Sequence, residues 1–161
     1  MRGDNIIMQV MEYESWINEN QRIQLKEKQN HPVKEPFTTI TNVKEFFEEE
    51  YKILEKADEY VYLVALNAAN RPIGVFEISH GSQTQSLFNV REICSRVLIL
   101  GAVGFLVVHN HPSGDTTPSE SDLNATGILK SASEILGLIM LDHIIIGSEG
   151  CYSMNLNSIL D

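Results

Sequence analysis

Two runs constrain the fold of this chain more than any other feature. "VGFLVVH" (103–109) and "LIMLDHIIIG" (138–147) are almost continuously apolar instead of alternating. Such a run reads as a strand of the buried kind, covered on both faces. Between them, the span from about Pro118 to Leu136 has the composition of a helix. Upstream, "TNVKEFFEEEYKILEKADE" predicts an amphipathic helix. Val43, Phe46, Phe47, Tyr51 and Leu54 recur on one face, and Thr41 or Asn42 is available as cap. Glu45, Glu48, Glu49 and Glu50 would form its solvated face. "YVYLVALNA" and "PIGVFEIS" predict two strands, and "HGSQTQSLF" a third, more polar one. Asn89 would cap a helix over "VREICSRVLILGA", and "GCYSM" and "LNSIL" read as a last short strand and a helical tail. The order αββ(β)αβαββ describes a mixed α/β layer domain, and 161 residues suffice for one such domain with a real core.

Residues 1–37 read as a separate N-terminal helix and linker, leaving 38–161 as the domain proper. "MEYESWINENQRIQLKEKQ" is rich in helix formers, and "NHPVKEP" breaks it with two prolines. His31 falls in that linker and is expected to be exposed. The first residues lack the apolar core of a signal peptide, and no run is long enough to span a membrane. The two cysteines, Cys94 and Cys151, form no CxxC pair and read as buried thiols in a reducing compartment. Cytoplasm is the expected location. The net charge of −10 argues against a sequence-independent grip on nucleic-acid phosphates.

The chemistry concentrates in "HNHPSGDTTPSESD" (109–122), which directly follows a buried strand. His109 and His111 sit at i and i+2, so in a strand both imidazoles face one way and can share a metal, while Asn110 points the other way. Asp122 is the candidate third ligand. Two helix starts compete for it. Ser119 as cap would make Asp122 the partner in a capping box. Thr117 as cap, with Pro118 in the first helical position and Glu120 reaching back, fits better and leaves Asp122 free. Asp115 is expected in the "PSGD" turn.

Two histidines and an aspartate leave one tetrahedral position open, the layout of a catalytic zinc, and imidazole nitrogens favour zinc over magnesium or calcium. Such a site needs a carboxylate base. Glu77, in the otherwise apolar "PIGVFEIS", is the candidate; the alternative is an edge-strand acid facing solvent. Ser119 could donate to a developing oxyanion, or serve only as helix-terminal chemistry. His80 precedes the "HGS" turn and either lines the cleft or is exposed. His143, in a buried strand, is expected as a core residue or a group that orients a ligand, and not as a ligand itself.

The spacing H-x-H-x7-S-x-x-D, read as His109, His111, Ser119 and Asp122, matches the JAMM motif of JAB/MPN metalloproteases. With "FEISHGS" and "REI" upstream and "LDHIIIG" downstream, residues 38–161 resemble the RadC-type branch specifically. The resemblance implies a cytidine-deaminase-like sandwich of a mixed sheet with flanking helices. It also implies zinc on His109, His111 and Asp122, Glu77 as acid/base, Ser119 at the oxyanion, and peptide or isopeptide bonds as substrate. RadC-type proteins usually carry a helix-hairpin-helix region that residues 1–37 are too short and too acidic to supply, so direct DNA binding is not expected. The family's "HPRE" reads "NVRE" here, without touching a proposed ligand. The competing expectations are a repair- or mobile-element-associated protein with a zinc site and no peptidase activity, and a binding module that keeps zinc for stability. A nucleoside-deaminase site is excluded because it requires a CxxC. The sequence specifies no oligomeric state.

Overall fold

The computed structural model describes residues 8–81 and 88–160. Among these, strands β1 (Met8–Ile17), β2 (Ile23–Val33), β3 (Tyr60–Leu66), β4 (Pro72–His80), β5 (Gly104–Asn110), β6 (Ile139–Gly147) and β7 (Gly150–Ser153) form one sheet in the order β2-β1-β4-β3-β5-β6-β7. The helices are α1 (Ile40–Tyr51), α2 (Val90–Ile99) and α3 (Glu120–Ile135). The sheet is mixed: β3 runs antiparallel to β4 and β5, whereas β5 and β6, joined through α3, run parallel. This is the mixed α/β architecture expected. Among the described residues no helix is long and apolar enough to cross a membrane.

The two unalternating runs sit at β5 and β6 near the middle of the sheet, and every residue of β5 is buried. One face packs Tyr62, Val64, Val108 and Ile144 against Val43, Phe46 and Phe47 of α1. The other packs Leu63, Phe76, Phe105 and Val107 against Ile93 and Val97 of α2 and Ala125 and Leu129 of α3. Apolar side chains on both faces are what a strand between two helical layers requires.

The expected N-terminal helix and linker are instead an antiparallel hairpin. β1 and β2 pair from Met8↔Val33 to Ile17↔Ile23, and β1 touches β4 in parallel at Glu12↔Val75. The reason is alternation: Val10 and Glu12 turn inward while Gln9 and Met11 turn out. That period of two outweighs the helix-favouring composition, because the Glu, Gln and Lys residues of this edge pair other than Glu12 reach solvent. The connection at 18–22 is closed by Asn18, whose Oδ1 accepts from the backbone N–H groups of Asn20 and Arg22 at 3.0 Å each. His31 is therefore no linker residue. It is 3% exposed, with Nε2 3.1 Å from Glu12 Oε2 and Nδ1 3.1 Å from Glu50 Oε2, and it stacks on Tyr51. Glu50 thus leaves the solvated face assigned to it. Burial pushes the Glu12 carboxyl up, but Lys28 and His31 beside it bring it below its ordinary value.

Smaller differences follow from local hydrogen bonds. Thr39, not Thr41 or Asn42, caps α1. Asn89 caps α2 as expected, accepting from Arg91 N–H. The expected helical tail is a set of turns, closed by Asn157 N–H to Ser153 O and Ile159 N–H to Met154 O. Most of the expected polar strand "HGSQTQSLF" lies outside the described residues.

Candidate metal centre

β5 ends inside the domain. His109 is fully buried beside Val61 of β3 and Ile145 of β6. The pairing continues past the strand: His111 N–H donates to Ile146 O at 3.0 Å. The two imidazoles tilt toward each other, with Nε2 atoms 3.1 Å apart. His111 Nδ1 lies 2.8 Å from the Asp115 carbonyl. A carbonyl can only accept, so Nδ1 carries the proton and Nε2 faces His109.

The loop that supplies this carbonyl is clamped by two glycines. Gly114 adopts φ +91°, and its carbonyl oxygen lies where a Cβ on Gly147 would stand, at 2.2 Å. Only glycine allows this backbone-on-backbone approach at the end of β6.

α3 begins with Ser119 as its cap. Ser119 Oγ accepts from Asp122 N–H at 3.2 Å, and Asp122 Oδ2 accepts from Ser119 N–H at 2.7 Å. This capping box overturns the preference for Thr117. The two roles do not compete, however. Asp122 Oδ2 also lies 3.4 Å from His111 Nε2, and Oδ1 lies 3.5 Å from His109 Nε2. The capping bond aims the carboxylate at the histidines.

A fourth group completes the cluster, and the sequence reading missed it. Glu59 Oε1 is 3.6 Å from His109 Nε2, and one ligand atom each from Glu59, His109, His111 and Asp122 fall within 4.8 Å of one another. Glu59 stands one residue before β3. The buried Asn110, pointing away from the histidines, holds it there: Asn110 Oδ1 accepts from Tyr60 N–H at 2.7 Å and its Nδ2 donates to Asp58 O at 3.1 Å. The only sequence signal for Glu59 is its place just ahead of a strand, which needs the β3–β5 pairing to become meaningful.

Glu77 does not join the cluster. β3 pairs Val61 with Ser79 but Tyr62 with Glu77, skipping Ile78 at a bulge. Glu77 thereby shares the α1 face with Tyr62, while His109 shares the opposite face with Val61. Its Oε1 lies 2.8 Å from Nδ1 of His80, which is itself exposed and stacks on Tyr60.

The cluster's electrostatics reflect its crowding. Burial, then His143 and His111, push His109 well below its ordinary pKa. Asp122 raises His111. Burial pushes Asp122 up, but the two histidines and the Ser119 bonds outweigh it and hold the carboxyl well below the usual range. Burial and the charge of Asp122 raise Glu59. His143 lies behind His109 and is pushed down to about 4, chiefly by burial.

The donor set fits a metal ion of zinc's size. Bonds of about 2.0–2.2 Å in a tetrahedron put neighbouring donors roughly 3.3–3.6 Å apart. Among His109, His111 and Asp122 the separations run from 3.1 to 3.5 Å, with Asp122 turning a different oxygen to each histidine. Two imidazoles with one carboxylate suit zinc and other first-row divalent ions and leave a position open.

The family model of the RadC-like JAB domain matches residues 37–159. The UPF0758 protein of Geotalea uraniireducens (strain Rf4) is 40% identical over 113 residues, 70% of this chain and 49% of the relative. That of Pelobacter propionicus is 40% identical over 111 residues, 69% of this chain and 48% of the relative. That of Chlorobaculum parvum is 35% identical over 109 residues, 68% and 49% respectively. The chain spans about half the length of these curated relatives. With a match over most of its length and a His-His-Asp-Glu cluster at the expected strand end, the chain belongs to the RadC-like JAB domain family.

Proposed function

We propose that this chain is a zinc-dependent hydrolase of peptide or isopeptide bonds, with His109, His111 and Asp122 as ligands and Glu59 as general base. The observation that carries the reading is the convergence of His109 Nε2, His111 Nε2 and the Asp122 carboxylate, with His109 and Asp122 buried, beside the partly exposed carboxylate of Glu59. Glu59, 26% exposed against 17% for His111, is the more open of the two members that reach solvent. When bound, the ion supplies a water whose pKa falls to about 7 and polarises a substrate carbonyl. Glu59 would take the proton of the attacking water and return it to the leaving amine. Ser119 keeps its O–H to donate to the oxyanion, because its Oγ accepts from Asp122 N–H. Glu59 takes the role first sought in Glu77, whose carboxylate is on the other face.

A cytoplasmic setting suits the two unpaired cysteines, and the −10 charge favours a protein or peptide partner over nucleic acid. The test is metal analysis followed by a peptide and isopeptide library, comparing wild type with Glu59→Gln and Glu77→Gln. Wild type should hydrolyse some members, Glu59→Gln should lose at least about 100-fold, and Glu77→Gln should stay within a few-fold. Zinc-loaded wild type inert across the library, or an undiminished Glu59→Gln, would overturn the reading.

A further inference from the structure

Behind His109 lies a chain of buried polar groups with no role in the chemistry above. His109 Nδ1 is 2.7 Å from His143 Nε2, His143 Nδ1 is 2.6 Å from Thr126 Oγ1, and Thr126 Oγ1 is 2.6 Å from the Asp122 carbonyl oxygen. His109, His143 and Thr126 are all fully buried. We propose that His143 and Thr126 are positioning residues: an oriented relay that fixes the tautomer of His109 so that its Nε2 lone pair faces the metal position. The inference rests on the metal site proposed above.

The direction of the relay follows from its last member. A backbone carbonyl only accepts, so Thr126 O–H donates to Asp122 O. The Met154 sulfur, 3.2 Å from the same hydroxyl, is a much weaker acceptor. With its one proton committed, Thr126 Oγ1 accepts from His143 Nδ1–H. A neutral His143 then presents a lone pair at Nε2, and the only proton that can fill the gap is on His109 Nδ1. His109 Nε2 is left bare, 3.1 Å from the Nε2 of His111. His111 reaches the same state by a separate bond, to Asp115 O. Each histidine is thus set by its own acceptor. The relay also returns to the backbone of Asp122, so the orientation of one ligand is tied to the position of another. Partners of this kind typically alter metal affinity by 10- to 100-fold when removed.

The relay is tested first without metal. Five histidines are few enough to assign by single substitutions. Long-range nitrogen–proton NMR on the chelated full chain, above the histidine titration range, should show His109 and His143 both protonated at Nδ1. A His109 protonated at Nε2 overturns the relay. The second arm measures zinc affinity by chelator competition in wild type, Thr126→Val and Thr126→Ser. Thr126→Val should bind about 10- to 100-fold more weakly, and Thr126→Ser should recover to within a few-fold. Simple loss of packing would give the reverse order, because valine fills the site better than serine. Equal affinity in Thr126→Val and wild type also overturns the relay. A wild type that binds no zinc sinks the proposed function instead, while the tautomer measurement still decides the relay.

Discussion

Asn110 shows how one side chain can serve the site while facing away from it. Its amide holds the backbone on either side of Glu59, through Tyr60 N–H and Asp58 O. In Asn110→Asp the acceptor survives and the donor is lost. We expect roughly 1–3 kcal/mol of destabilisation from the carbonyl left without its partner, measured by urea unfolding. If Glu59 is the base, hydrolysis should fall further than zinc affinity, since the amide of Asn110 holds the backbone around Glu59 and touches none of the proposed ligands. That Asn110 points away from the histidines was legible from strand alternation alone. Its target was not, because the β3–β5 register that brings Val61 beside His109 is a long-range pairing. The same limit explains why the sequence offered Glu77 and not Glu59, the carboxylate that stands beside the histidines. Alternation sets Glu77 on the face of Val75, opposite Phe76 and Ile78, but which of those faces carries His109 follows only from the β3–β4 and β3–β5 pairings.

Two elements carry most of what the sequence concealed. At the start of α3, the preference for Thr117 over Ser119 as cap rested on Pro118 at the first helical position and Glu120 reaching back, and it left Asp122 free by treating capping and ligation as exclusive. A carboxylate has two oxygens, and Asp122 uses both. Ser119→Ala should cost about 1 kcal/mol as a lost cap. If the hydroxyl also serves the oxyanion, the same variant should lose about 100-fold in turnover, more than the stability change explains. Thermal melts and kinetics on one preparation separate the two. In the β1–β2 hairpin, helix propensity was the wrong guide and alternation the right one. The hairpin is tied to α1 by His31, set between Glu12 and Glu50. His31→Leu leaves the buried Glu12 carboxylate with Lys28 alone, at a cost of about 3 kcal/mol. Melting should fall by roughly 6–12 °C, with the metal centre intact.

For the molecule as a whole, the sheet places two suppressed imidazoles, His109 and His143, at its centre. Their sign is fixed by linkage. His143 titrates at about 4 when folded against an ordinary 6.5. Above 6.5 neither state is protonated and nothing changes; as pH falls from 6.5 to 4 the unfolded chain takes up the proton first and stability is lost. The full shift is worth on the order of 3 kcal/mol. His109 acts in the same direction, and His111, raised by Asp122, acts against them. The chelated protein should therefore unfold at markedly lower urea at pH 5 than at pH 7. A flat profile between those values would show that the buried pair does not stay neutral. The layered α/β class was legible from β5 and β6, whose composition admits no other placement. The outer strands were less so, being half exposed and chemically close to helix.

The contact of Gly114 with Gly147 has a consequence for how this domain could diversify. Backbone packed on backbone leaves no slack, so the loop from His111 to Ser119 can neither lengthen nor take a side chain at Gly147 without moving His111. New recognition parts would have to be grafted where the chain is loose, and the Asn18–Arg22 hairpin tip is such a place, exposed and closed by its own hydrogen bonds. Inserting a short peptide there should leave zinc binding untouched, while a single residue added after Gly114 should abolish it.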